Sequence, residues 1–174
     1  IKSAEALETL HTIQTVVLDK TGTLTQGKPV VTDCYPNEGT TTEELLCVAA
    51  SLEKPSEHPL ADAIVGEAER RGIPLAPVEQ FLAAPGRGIR GIIHSTPILA
   101  GNKAMMEEAG VVLAGFDLIA GELAKAGKTP LYFAEGTGML GVVAVADTPK
   151  PTSAAAVAGF RSLGIDVVML TGDN

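Results

Sequence analysis

Three apolar residues, Val16-Val17-Leu18, run straight into Asp19-Lys20-Thr21-Gly22-Thr23-Leu24-Thr25, and this junction constrains the fold more than any other part of the chain. β-branched residues bounded by a glycine-containing turn read as a short buried strand. A carboxylate at the carboxyl end of such a strand lies where open α/β sheets form their ligand crevice. Asp19 there is a candidate nucleophile. Lys20 and the hydroxyls of Thr21 and Thr23 offer charge and donors to phosphate oxygens, and Gly22 lets the backbone come close. An Asp after a strand is also an ordinary turn or cap residue, so these residue types alone leave both readings open.

The rest of the composition narrows the class. A chain of 174 residues that is 45% apolar suits one large or two small domains with real cores. A formal charge of -8 argues against nucleic acid or an anionic membrane as partner. Aromatic residues are only 3%, with no Trp, which leaves no base-stacking platform. The two cysteines, Cys34 and Cys47, show no metal-binding spacing and are expected as buried free thiols. There is no apolar stretch of about 20 residues and no signal-peptide pattern, so the chain is expected to be soluble and monomeric.

Both ends of the chain read as one domain and the middle as another. Residues 13–18 are the first strand. Residues 139–146 form an apolar strand closed by Asp147, residues 152–163 an alanine-rich helix before Gly164, and residues 165–170 a last strand before Thr171-Gly172-Asp173-Asn174. This last stretch reads as a βαβ unit. In the middle, Thr41 and Glu44 make a capping box for a helix to about Leu52, and Ser56 is expected to cap a second helix ending at Arg71 before Gly72. Short strands near 78–83, 89–94 and 97–100, helices over 103–109 and 116–126, and a strand over 131–135 complete an α+β insertion. The crossings are expected near Gly27–Val31 and Glu135–Gly138, which places the boundaries at 1–30, 31–137 and 138–174.

The string Asp19 to Thr25 matches the phosphorylation motif of P-type ATPases at every position, and the chain resembles that family along nearly its whole length. The resemblance implies an incomplete haloacid-dehalogenase-like, Rossmann-like α/β phosphorylation domain (1–30 and 138–174) with an inserted α+β nucleotide-binding domain (31–137). Asp19 would be the residue phosphorylated by ATP. Related phosphatases usually carry a second Asp two residues after the nucleophile as general acid and base; Thr21 stands there in this chain, which favours a persistent acyl phosphate. Ile1 to Glu8 resembles the exit from the preceding membrane helix. Thr171, Gly172 and Asp173 resemble the second phosphate-contacting motif, and the chain reads as a piece of a longer pump.

Ser56-Glu57-His58-Pro59-Leu60 matches a motif of the heavy-metal-transporting branch. It implies that Glu57 and His58 lie at the nucleotide, although a His near a helix start is also an ordinary cap. Gly86-Arg87-Gly88 resembles the family's Gly-x-Gly nucleotide loop and reads equally as a tight hairpin. Gly101-Asn102 resembles the family's Gly-Asn pair and reads equally as a turn and N-cap. Glu53 matches an acidic residue at the adenine amino group and reads equally as a solvated residue at the helix end. Asp147-Thr148-Pro149-Lys150 resembles the segment that re-enters the phosphorylation domain, with Lys150 near phosphate, and reads equally as a turn and helix start.

What the resemblance implies is the ATP-binding and phosphorylation region of a heavy-metal pump, copper-transporting rather than zinc or cadmium. It would be the cytosolic portion of an integral protein of the cell membrane, with actuator and transmembrane domains of the same pump as partners. ATP and Mg²⁺ would be used, with Mg²⁺ held by Asp19 and the Thr21 carbonyl. A free-standing phosphatase of the same superfamily and a regulatory nucleotide-binding module are the rival readings.

Overall fold

The computed structural model describes residues 12–170. The chain divides into two compact units, one formed by the residues up to Lys28 and from Asp147 onward, the other by Pro29–Ala146.

In the first unit, β1 (Thr15–Asp19) lies parallel to β8 (Asp166–Leu170), with Val17 opposite Val168 and Asp19 opposite Leu170. Helix α5 (Ser153–Ser162) precedes β8 and ends at Gly164, whose φ of 76° lets the chain reverse. Parallel pairing puts the carboxyl ends of both strands side by side. That fixes Asp19 at one end of the strand pair.

The second unit is a six-stranded sheet in the order β2-β7-β6-β5-β4-β3. Its strands are β2 (Thr25–Pro36), β3 (Glu79–Ala84), β4 (Gly88–Ile93), β5 (Thr96–Gly101), β6 (Thr129–Glu135) and β7 (Gly138–Pro149). The pairs from β3 through β7 are antiparallel. Helices α1 (Thr42–Glu53) and α2 (Pro59–Arg70) bury Leu45, Leu52 and Ile64 with Ile89, Phe133 and Val143. A second cluster joins α3 (Lys103–Glu108) and α4 (Phe116–Lys125) to Tyr132, Val142 and Ala144. Successive strand residues point to opposite faces, so Val142 and Val143 serve different clusters. This explains why β7 reads as an unbroken apolar run rather than an alternation. Each such side chain, fully buried, contributes about 1.5–3 kcal/mol.

Several expectations change here. The second crossing was expected at Glu135–Gly138, but those residues are the β6–β7 hairpin turn, with Glu135 opposite Gly138 and Gly136 at φ 56°. Residues 138–146 therefore belong with the inserted unit, and the chain leaves it at Ala146. For the same reason the expected βαβ unit is not a single-sheet motif: β7 is held antiparallel by its hairpin partner, and β8 finds β1 instead. The first crossing falls within the expected Gly27–Val31, between Lys28 and Pro29, but it is made inside one strand, residues 25–36, rather than by a loop. The capping box forms as expected, Glu44 N donating to Thr41 Oγ1 (3.2 Å) and Thr41 N to Glu44 Oε2 (2.7 Å). Both cysteines are free, but only half-buried; burial still pushes the Cys34 thiol up to about 11. No helix among the described residues is long and apolar enough to cross a membrane.

Candidate functional site

The first candidate site is the turn after β1. Asp19 is the last residue of the strand, exposed and in extended conformation (φ −65°, ψ 139°). Lys20–Leu24 then curl tightly, with Thr21 extended and Gly22 at φ 75°. A Cβ on Gly22 would meet nothing within 4 Å. Conformation rather than crowding thus requires glycine here, since L residues pay for the left-handed region.

This turn is held by residues distant in sequence. Thr25, only 5% exposed, donates from Oγ1 to Asp147 Oδ2 (2.5 Å) and accepts from Gly22 N (3.1 Å). Its Oγ1 also lies 3.0 Å from Lys20 O, a second acceptor for the same hydroxyl proton. Gly27 N donates to the other Asp147 oxygen at 2.9 Å. Lys150 Nζ donates to Gly22 O (2.6 Å), and both Lys150 N (2.9 Å) and Ser153 Oγ (2.6 Å) donate to Leu24 O. An anionic acceptor strengthens such bonds. The segment 147–153 therefore clamps the backbone on which Asp19, Lys20, Thr21 and Thr23 stand. Lys150, expected near phosphate, is spent on a carbonyl of the turn.

The second candidate site lies in the inserted unit, at the α1–α2 junction. Here the cap of α2 is His58 rather than Ser56: His58 Nδ1 accepts from Leu60 N (3.2 Å), with Pro59 at the first helical position. Proline cannot donate, so the first available N–H is that of Leu60. Ser56 instead accepts from His58 N (3.3 Å). With Nδ1 accepting, neutral His58 carries its proton on Nε2, and the ring is exposed. Glu57 beside it is exposed as well. Glu53, at the end of α1, is 7% exposed instead of solvated. Burial pushes its carboxyl up to about 7, against a smaller opposing effect of a hydrogen bond with Ser56.

Gly86-Arg87-Gly88 is the β3–β4 turn. Asn102, the cap of α3, donates from Nδ2 to Gly86 O (3.0 Å) and accepts from Met105 N (3.0 Å), while its own N donates to Arg87 O (2.9 Å). Asn102 thereby ties the turn to the next helix. Gly88 and Gly101 face each other across β4 and β5. A Cβ on Gly88 would lie 2.8 Å from Met105 Sδ and 2.5 Å from Gly101 Cα; one on Gly101 would lie 2.7 Å from the same sulfur. Packing alone explains Gly101, whereas Gly88 combines the same crowding with a φ of 155°. Gly86, at φ 71° with open space around it, is the member of the loop that presents bare backbone outward.

The structure thus groups Asp19, Lys20, Thr21 and Thr23 on one turn, and Gly86, Gly88, Gly101 and Asn102 on one strand-end corner, with Glu53, Glu57 and His58 on one helix junction. Thr171, Gly172 and Asp173, like residues 1–8, lie outside the described residues. Thr25 was not singled out in the sequence, although it closes the heptapeptide. Its burial and its bond to Asp147 depend on a contact between residues far apart in the chain. No group of three or more His, Cys, Asp or Glu among the described residues is arranged to hold a metal.

Comparison with known proteins follows this geometry. A model of the haloacid dehalogenase-like hydrolase family matches residues 13–174. The chain is 44% identical, over its whole length, to a copper-transporting P-type ATPase of Rhizobium leguminosarum bv. viciae, and 46% identical, over 99% of its length, to a copper-exporting P-type ATPase of Staphylococcus saprophyticus. It spans 21% of each of these curated relatives. Among solved structures, a zinc-transporting PIB-type ATPase in the E2.Pi state superposes on all of this chain with a TM-score of 0.89 at 36% identity, the match covering 28% of that protein.

Proposed function

The chain belongs to the haloacid dehalogenase-like hydrolase family, and on that premise we propose that it is the ATP-binding and phosphorylation region of a heavy-metal P-type ATPase, with Asp19 as phosphate acceptor. The observation that carries the reading is Asp19 itself: an exposed carboxylate at the carboxyl end of a parallel strand, on a turn clamped by Asp147 and Lys150. Such fixation suits a nucleophile, because phosphoryl transfer depends on positioning and charge stabilisation more than on covalent help from the protein.

In the proposed step an Asp19 oxygen forms a bond to the γ-phosphorus of ATP as the bond from that phosphorus to the β,γ-bridging oxygen breaks, and ADP leaves. Lys20 and the Thr23 hydroxyl face the phosphoryl oxygens with charge and donors, and Thr171, Gly172 and Asp173 are assigned to the same task. The donor set suits Mg²⁺: a carboxylate and a backbone carbonyl, from Asp19 and Thr21, are hard oxygen ligands, and Mg²⁺ normally takes one or two carboxylates plus water and substrate phosphates. Bound there, the ion would neutralise developing phosphate charge. The inserted unit would hold the adenosine end. His58 offers Nε2–H, Gly86 offers open backbone, and Glu53 accepts from the adenine amine when ionised. Asn102, Gly88 and Gly101 shape the turn beside it.

Copper is the cargo we favour, because the two relatives are a copper-transporting and a copper-exporting ATPase; a zinc pump is the second reading, favoured by the structural match at TM-score 0.89. A phosphatase is disfavoured by Thr21, which cannot act as the general acid. The pump's membrane location and its further domains as partners are part of the same proposal. An NMR titration with ATP tests the binding half: the amides of Glu53–His58 and of the Gly86–Gly88 turn are expected to shift, and His58→Ala to weaken binding roughly tenfold. Unchanged affinity in that variant would remove His58 from the site.

A further inference from the structure

One cavity in the inserted unit is untouched by this reading. It has a volume of about 420 Å³ and is lined by residues of β3, β4, β5 and α3. Its floor is a row across three strands, Leu82 opposite Arg90 and Arg90 opposite Leu99. The missing side chain of Gly91 would meet Leu52 of α1, so Gly91 faces α1 and its neighbour Arg90 faces the other side of the sheet. The cavity is therefore on the face away from the helix that carries Glu53. It is a separate place from the nucleotide site proposed above.

Its chemistry is specific. Leu82, Leu99 and Met105 give apolar walls, and Leu82 is 53% exposed despite its size. At one side Arg87 is neutralised by an ion pair with Glu108. The Arg90 guanidinium has no hydrogen-bond or ion-pair partner among the described residues. In a chain of net charge -8, an unpaired arginine beside an apolar pocket invites an anion, and its planar fork matches a carboxylate or sulfonate. A volume of this size is within the range of small-molecule sites, which combine apolar walls with a few placed polar groups.

We propose that this cavity binds a small amphipathic anion, its apolar body against Leu82, Leu99 and Met105 and its charged group on Arg90. Met105 also seats Gly88 and Gly101, so an occupant presses on the residue that shapes the Gly86–Gly88 turn from behind. The site thereby gives the turn a second input besides whatever binds on its front.

An NMR titration of the 174-residue chain with 2-naphthalenesulfonate, in the absence of nucleotide, tests this. Saturable one-to-one shifts are expected at the Leu82, Arg90 and Leu99 amides, with Gly88 moving along the same curve. Arg90→Ala should weaken binding roughly tenfold or more and Arg90→Lys less, because a bidentate pair is lost in both but the charge in only one. The uncharged 2-naphthol should bind correspondingly worse. Arg90 is an exposed strand residue, and thermal denaturation confirms that each variant is folded. Shifts that fail to saturate, that fall on Glu53–His58 instead, or that survive Arg90→Ala unchanged would overturn the proposal. Because no nucleotide is present, that failure would leave the ATP reading standing, and failure of ATP to bind would leave this one.

Discussion

The Lys20–Leu24 and Gly86–Gly88 turns are stabilised in opposite ways. The Lys20–Leu24 turn has open space around Gly22 and is held by polar side chains: Thr25 and Asp147 on one flank, Lys150 and Ser153 on the other. The Gly86–Gly88 turn is held by backbone packing, with Gly88, Gly101 and Met105 so close that no Cβ fits, and by the amide of Asn102. A turn clamped through its backbone leaves the Asp19 carboxylate exposed beside it, which suits a reacting group. At Gly86 the second turn presents an uncovered peptide, which suits close contact with a flat ligand. On the proposed reading, charge chemistry and shape recognition fall to different loops, and substitutions should separate them.

The largest separation is expected from Asp19→Asn. In the pump carrying this region it should abolish phosphate incorporation from ATP, a loss of three orders of magnitude or more as for removal of any covalent nucleophile (roughly 10³-fold or greater). ATP affinity of the chain, measured calorimetrically, should stay within about twofold, since the adenosine end is held elsewhere. Next come the packed glycines: Gly88→Ala or Gly101→Ala forces backbone and Met105 apart at a cost of about 3 kcal/mol, seen as a fall in melting temperature of roughly 10 °C. Gly86→Ala, with space but a positive φ, should cost only about 1 kcal/mol. Equal effects at Gly86 and Gly101, the second crowded but not at positive φ, would break the contrast between conformation and crowding.

Thr25→Val probes the clamp. It removes a buried hydroxyl that bonds Asp147 and Gly22, and should destabilise by about 1–3 kcal/mol while slowing phosphorylation more than it weakens ATP binding. The smallest effect concerns Glu53. Its folded carboxyl is raised to about 7 from 4.5, so folding favours the protonated form. Stability contributed by Glu53 is then full below about 4.5 and is lost as pH rises toward and through about 7. Glu53→Gln should therefore match the parent's melting temperature near pH 4 and exceed it increasingly up to pH 8, by a few degrees. A parent that gains stability over that range relative to the variant would contradict the burial argument.

How much of this was legible beforehand follows from the range of the interactions. The strand and turn around Asp19, the Thr41–Glu44 box and the Gly164 stop are local signals, and each lies where the residues within one turn of it dictate. The cap of α2 was misplaced by two residues because Ser56 is the better cap by type, whereas Pro59 makes Leu60 N the donor to be satisfied and His58 the residue in reach. β2 was hidden by Gly27 and Pro29, which read as a crossing, and by a mostly exposed face without apolar alternation. The parallel pairing of β8 with β1 agrees with the reading of both chain ends as one domain, whereas the bond from Thr25 to Asp147 joins residues separated by most of the chain and nothing local announces it. The heptapeptide is legible as a string; the brace that holds its turn appears only in three dimensions.

The most direct test of the central claim is to locate the phosphate. The pump containing this region would be incubated with γ-labelled ATP and Mg²⁺, quenched in acid, and digested for mass spectrometry. The account predicts hydroxylamine-sensitive label on the peptide containing Asp19, absent in Asp19→Asn and diminished in Thr25→Val. Label that persists in Asp19→Asn, or that resides on another residue, would contradict it.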